Sequence, residues 1–233
     1  MSRPAMIFAA GFGTRMGALT AETPKPMLHV GGKALVDHAI DLAAEAGAAP
    51  IVANVHYRAD RIAPHLRARG VSVSHETDRL LDTGGGLRRA RPLLGDGAAV
   101  FTLNADTVFV GANPLIALDR AWRDGMGVLL SVVPLSRARE RRGGGDFSLG
   151  ADGRLTQGGD GRLTQGGDWV YSGAEIIDPA VLDAEPGDAF SLAPVWFRLA
   201  REGRLFGAPY PGDWVDVGHP EGLAVANAMV AHV

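Results

Sequence analysis

Cysteine is absent from all 233 residues, which excludes disulfides, a thiol nucleophile and thiolate metal sites while leaving the compartment open. Long hydrophobic runs are missing as well. Ser2-Arg3-Pro4 leads straight into the first apolar stretch, with no segment of signal or membrane-spanning length before it, so the cytoplasm is the expected location. Neither sign of charge is in excess: 23 Lys and Arg face 26 Asp and Glu, a net charge of −3. Composition therefore gives no electrostatic case for nucleic acid or an anionic membrane, and any phosphate binding has to be local. A chain of this length supports one sizeable α/β domain around a single core.

What is present begins with Met6-Ile7-Phe8-Ala9-Ala10-Gly11-Phe12-Gly13-Thr14-Arg15-Met16-Gly17. An apolar run short enough for a buried strand breaks into a loop holding three glycines, one hydroxyl and one arginine. Glycines let the backbone approach a ligand with no Cβ in the way, so several N–H groups can converge on phosphate oxygens, and Arg15 adds a permanent charge with a planar fork of donors. Two common phosphate loops do not match. The dinucleotide fingerprint fits at Gly11 and Gly13 but finds Met16 in place of its third glycine, and no acidic residue ends a second strand about 20 residues on. The triphosphate loop G-x-x-x-x-G-K-[ST] fits nowhere in this region. Pro24-Lys25-Pro26 comes next, and its two prolines restrict where the Lys25 ammonium points.

Downstream, helical spacing over Ala34 to Ala46 and Ala59 to Arg69 alternates with apolar strands at Ile51 to Val55 and Val71 to Ser74. This rhythm argues for an α/β fold with a parallel sheet covered on both faces, whose ligands sit beyond the carboxyl ends of the strands. Asp82-Thr83-Gly84-Gly85-Gly86 reads either as a flexible connector or as a second close backbone approach at the start of a basic helix. The strand Val100 to Leu103 ends in Asn104-Ala105-Asp106, where Asp106 is either an ordinary turn aspartate or a holder of a hard cation. Ser136 to Arg142 carries four arginines and reads as solvated surface. An eight-residue segment, Gly153 to Asp160, is repeated at once as Gly161 to Asp168. Its period is too short for a solenoid and suits a hairpin with competing turns at Asp152-Gly153 and Asp160-Gly161.

Ala9-Ala10-Gly11-Phe12-Gly13-Thr14-Arg15-Met16, with Thr23-Pro24-Lys25-Pro26-Met27-Leu28 after it, resembles the signature of the sugar-1-phosphate nucleotidylyltransferases, with both halves at the family's spacing. The resemblance runs from Met6 to Glu221 and takes in Asn104-Ala105-Asp106 and the Trp214-Val215-Asp216-Val217-Gly218 segment. It implies an α/β, Rossmann-like, mixed but mostly parallel sheet with helices on both faces, in one domain over residues 1–233 whose sugar-binding part is roughly 134–218. It implies transfer of a nucleotidyl group from a nucleoside triphosphate to a sugar 1-phosphate with Mg2+, and no nucleic-acid or membrane partner, in a monomer or small homo-oligomer. On the same resemblance Arg15, Lys25, Asp106 and Asp216 are catalytic, with Asp106 and Asp216 holding the metal. Ala10, Gly11, Gly13, Thr14 and Asn104 contact substrate, Glu76, Thr83 and Gly84 the base, and Gly145, Asp146 and Gly173 the sugar. Hexapeptide repeats are absent, so no left-handed β-helix, and none of its acetyltransferase activity, is expected. Among subfamilies the chain looks most like the N-acetylmuramate-1-phosphate uridylyltransferases of cell-wall recycling, with mannose-1-phosphate guanylyltransferase and an inactive nucleotide-sugar binder as alternatives. One departure stands out. Many relatives carry a Glu-Lys pair near the duplicated segment, its lysine on the sugar phosphate, and this chain has none; Arg154 and Arg162 are the substitutes in that region.

Overall fold

The computed structural model describes residues 2–95, 99–157 and 167–231. It opens with β1 (Ala5–Phe8), in which consecutive apolar residues are buried because both faces of the strand are covered. The glycine loop and two short 3-10 turns, Thr14–Thr20 and Lys25–Met27, lead to a small hairpin, β2 (His29–Val30) and β3 (Lys33–Ala34). Helix α1 (Leu35–Glu45), β4 (Ile51–Val55), α2 (Ala59–Ala68) and β5 (Ser72–His75) continue the expected alternation, and α3 (Asp82–Leu94) returns the chain to β6 (Val100–Asn104). The second half runs through β7 (Thr107–Val110), α4 (Pro114–Ala121), β8 (Val128–Pro134), β9 (Phe147–Leu149), β10 (Leu155–Gln157) and β11 (Trp169–Ile177). It closes with α5 (Leu192–Arg201), β12 (Leu205–Pro209), β13 (Asp213–Asp216) and α6 (Pro220–Val230).

The main sheet has the order β10-β9-β11-β6-β1-β4-β5, with β8 added beside β11 and β12 beside β8. Strands β6, β1, β4 and β5 are parallel, as the alternation predicts. Beyond β6 the sheet turns antiparallel through β11, β9 and β8, and only β12 is parallel to its neighbour. Side chains alternate across the strands: Ile7 joins Ile40, Leu66 and Leu118 in the core under α1, α2 and α4, and Met6 joins Leu87, Leu94 and Leu199 under α3 and α5. Helices thus cover both faces.

Two local features place side chains at the carboxyl end of the sheet. Strand β13 pairs antiparallel with β7 outside the main sheet, with Asp216 opposite Thr107, and α6 packs over this clasp through Ala226 against Val108 and Val215. In β11 the register shifts between Tyr171 and Glu175, and Gly173 lies there at φ +90°. A Cβ on Gly173 would meet Thr107 Oγ1 at 2.9 Å and Asn104 Cβ at 3.1 Å, so it closely approaches the chain's own β6–β7 connection. In the duplicated segment the Asp152-Gly153 turn closes the β9–β10 hairpin, with Gly153 at φ +80°. Residues 158–166, which include the Asp160-Gly161 turn and Arg162, lie outside the described residues.

Candidate active site

The phosphate loop is held from three sides. Beneath it, the Ala9 N–H donates to Asn54 Oδ1 at 2.9 Å, Asn54 Nδ2 donates to Glu76 Oε1 at 2.7 Å, and the Leu81 N–H donates to Glu76 Oε2 at 2.8 Å. At its turn Gly13 takes φ +65°, and a Cβ there would lie 2.9 Å from Lys25 Cβ, so only glycine serves. At its far end Thr20 Oγ1 donates to the Gly13 carbonyl at 3.0 Å. The result is a cleft of about 370 Å³ that brings together Ala10, Gly11, Gly13, Thr14, Arg15, Lys25, Thr83, Asn104 and Asp106.

Lys25 is buried to 7% exposure, fixed by the 3-10 turn between its flanking prolines, and its Nζ donates to Asp106 Oδ2 at 2.8 Å. Asp106 sits between β6 and β7, and the Val217 N–H donates to its carbonyl at 2.9 Å, which ties the residue after Asp216 to Asp106 itself. Burial raises the Asp216 carboxyl above the ordinary aspartate range. The neighbouring Asp106 charge adds to the rise, against the opposing charges of Lys25, Arg15 and Arg141. Two carboxylates 110 positions apart in sequence therefore share one electrostatic neighbourhood, because β7 and β13 pair in register. Oxygen donors without sulfur or imidazole suit a hard divalent cation. Among the described residues no group of three or more His, Cys, Asp or Glu side chains could hold a metal ion, so the residues here that could contribute to one are the two carboxylates Asp106 and Asp216.

A second cavity, also about 370 Å³, shares Phe8, Thr83 and Asn104 with the first and extends to Arg141, Asp146, Tyr171, Leu192 and Trp196. Asp146 is buried, accepts from Arg141 Nη2 at 2.5 Å and from the Tyr171 N–H at 3.0 Å, and has its carboxyl raised by burial against the opposing Arg141 charge.

Other residues that the sequence points to serve the scaffold. Glu76, 1% exposed with both oxygens engaged by Asn54 and the Leu81 N–H, lines neither cavity and braces Asn54 from below. Gly84 lies inside α3, where a Cβ would collide with Phe190, and its neighbours Gly85 and Gly86 abut Asp188 and the Asn54–Glu76 pair. The three glycines thus do mark a close approach, but to the chain's own segments. Gly145 packs its backbone on the Gly167 carbonyl. Arg154 donates to Asp152 and to the Gly203 carbonyl with its guanidinium over the Phe206 ring, and it lines neither cavity. Conversely Arg141, read from sequence as part of a solvated run, lines the second cavity, as do Tyr171 and Trp196. The only local sign was an aspartate five residues after Arg141, a spacing without meaning until the loop is folded.

The family model of the MobA-like NTP transferase domain matches residues 5–142. The chain is 37% identical to N-acetylmuramate alpha-1-phosphate uridylyltransferase of Caulobacter vibrioides, across 97% of this chain and 96% of that one. It is 27% identical to mannose-1-phosphate guanylyltransferase catalytic subunit beta of Dictyostelium discoideum, across 93% of this chain but only 61% of that protein. Its fold matches that of a UDP-glucose pyrophosphorylase solved with UDP-glucose, with a TM-score of 0.81 at 16% identity, covering 100% of this chain and 99% of the other.

Proposed function

From the premise that this chain belongs to the MobA-like NTP transferase family, as a sugar-1-phosphate nucleotidylyltransferase, we propose that it joins UTP to N-acetylmuramate 1-phosphate and releases pyrophosphate. The observation that supports the chemistry is the pairing of β13 with β7, which sets Asp216 opposite Thr107, the residue next in the chain to Asp106, whose carboxylate binds Lys25 and lines the glycine-loop cleft. The choice of base and sugar rests on the likeness to the Caulobacter vibrioides relative, which spans nearly the whole of both chains. The same likeness supports a place in cell-wall recycling and, with it, the cytoplasm, where the triphosphate is made.

The reaction asks for placement and charge neutralisation more than for covalent help. A phosphate monoester is almost fully ionised at neutral pH, its second pKa being about 6, so the attacking oxygen of the sugar phosphate needs no general base. It forms a bond to the α-phosphorus while the bond to the pyrophosphate oxygen breaks on the opposite side. The backbone of Gly11 and Gly13 and the Thr14 hydroxyl cradle the triphosphate, Arg15 takes up charge on the departing pyrophosphate, and Lys25 neutralises the α-phosphate. Asp106 and Asp216 would hold the divalent cation, Mg2+ in this reading, which when bound would supply neutralisation of phosphate charge. Asn104 and Thr83 line both cavities, which supports a role for them between the two substrates.

The test is pyrophosphate release by the purified protein with Mg2+ across a panel of triphosphates and sugar 1-phosphates. UTP with N-acetylmuramate 1-phosphate should give the highest kcat/KM. Preference for GTP with mannose 1-phosphate would move the assignment to the guanylyltransferases. Silence across the panel would leave a nucleotide-sugar binder.

A further inference from the structure

We infer that Arg141 is the residue that grips the phosphate of the sugar 1-phosphate, an inference that rests on the reaction class proposed for this site. The chain has only two lysines, Lys25 and Lys33. Lys25 is committed to Asp106, and Lys33 pairs with Asp41 on an exposed surface. A phosphate in the second cavity therefore has no lysine to meet it.

Arg141 is placed there by an unusual use of a basic run. Three of its four arginines work as surface straps: Arg137 donates to the Pro211 and Gly212 carbonyls, Arg139 pairs with Asp213, and Arg142 pairs with Glu221. The backbone at Arg139 bridges to Val215, and its carbonyl accepts from the Asp216 N–H at 3.2 Å, so the segment is stitched onto the strand that carries the second carboxylate. Glu140 then takes φ +58°, a left-handed conformation that is costly for a residue with a long side chain, and Arg141 alone turns inward. Once inside, Asp146 fixes its guanidinium through Nη2.

A second observation points to a ligand. Arg141 Nε is buried without a hydrogen-bond partner among the described residues, and the Arg141 side chain lines this cavity. Buried donors left unpaired are costly and rare in folded proteins, and a guanidinium that bonds Asp146 through Nη2 keeps further donors for an anionic oxygen that enters the cavity. The cavity that Arg141 lines shares Phe8, Thr83 and Asn104 with the cleft that holds Asp106 and the glycine loop, so an anion beside Arg141 lies next to the place of the α-phosphorus.

The experiment is calorimetric titration of N-acetylmuramate 1-phosphate, and separately of phosphate-free N-acetylmuramate, into the protein loaded with Mg2+ and a non-hydrolysable UTP analogue. Arg141→Met, which keeps the aliphatic stem, should weaken the phosphorylated sugar by about 10- to 100-fold, the value of lost charge-assisted hydrogen bonds. It should leave the phosphate-free sugar and the UTP analogue unchanged, with only a modest fall in melting temperature because Asp146 loses its counter-charge. Arg141→Lys, which also serves if the methionine variant fails to fold, should lose less because it keeps the charge without the fork. Unchanged affinity in both variants, or equal weakening of both sugars, overturns the inference while a wild type that releases pyrophosphate leaves the reaction class standing. A wild type that neither binds the sugar phosphate nor releases pyrophosphate removes both.

Discussion

The ion pair between Lys25 and Asp106 shows how one contact serves stability and chemistry at once, and how the two are separated by mutation. Lys25 is nearly buried and depends on Asp106 for a counter-charge, whereas the Asp216 carboxyl is held above its ordinary range by burial and by Asp106. Asp106→Asn and Asp216→Asn should each lower kcat by about 100- to 1000-fold, the usual cost of removing a charge-stabilising group. Their stabilities should differ. Asp106→Asn leaves an ammonium without its partner and should cost about 1–2 kcal/mol in urea unfolding, while Asp216→Asn should cost nothing or stabilise slightly. Turnover near wild type in either variant would remove the proposed metal pair. At this scale the sequence was legible where a side chain's chemistry and its motif agreed, as for Arg15, Lys25 and Asp106, which line one cleft. It was misleading where a residue type has two uses. Glycine is chosen for close approach whether the visitor is a ligand or a phenylalanine, and a glutamate near a base pocket looks the same whether it faces the ligand or braces the asparagine below. Gly86 tests the second use: a Cβ there would lie 2.7 Å from Asn54 Nδ2 and 2.8 Å from Glu76 Oε1. Gly86→Ala should destabilise the fold by about 1–3 kcal/mol through overpacking, and should weaken UTP binding because Asn54 anchors the phosphate loop.

Among elements, β11 carries the most tension. It pairs with β6 on one side and β8 on the other, bends at Gly173, and buries Glu175 completely. The Glu175 carboxyl is within 2.9 Å of Thr102 Oγ1 and 3.0 Å of Trp196 Nε1, and desolvation, only partly offset by those hydrogen bonds, pushes its pKa up to about 8. Its folded pKa thus lies above the ordinary value of 4.5, so between roughly pH 4.5 and 8 the folded state holds a proton that the unfolded chain releases. The stability this group contributes is complete below the lower pKa and is lost as pH rises through the higher one. Glu175→Gln, a permanent mimic of the neutral acid, should match the wild type near pH 4.5 and be the more stable of the two at pH 8.5, as read by denaturant midpoints. Parallel midpoints across that range would mean that Glu175 does not hold its proton. The antiparallel strands around β11 were readable one by one as apolar runs, but their neighbours were not, since pairing is chosen by contacts that no local window contains.

For the whole molecule, the decisive arrangement is that the carboxylate pair joins the first half of the chain to its last fifth. A ligand that binds there belongs to the folded state only and must stabilise it by linkage. At a UTP concentration about 100 times its Kd, with Mg2+, the gain is about 2.7 kcal/mol, or roughly 5–10 °C in Tm for a domain of this size. Most of the added effect of Mg2+ should vanish in Asp216→Asn. A wild-type Tm indifferent to UTP and Mg2+ together would count against the nucleotide site. What the sequence determined alone was local: the alternation of strand and helix, the backbone freedom of the phosphate loop, and the residue types able to meet phosphate and a hard cation. These come from period, from glycine's lack of a Cβ and from charge, all of which are carried within a few neighbouring residues. Only the tertiary structure decided which of four neighbouring arginines turns inward and which glycines abut the chain's own segments. It alone set Asp216 beside Asp106, because those outcomes depend on strand pairing between segments about a hundred residues apart.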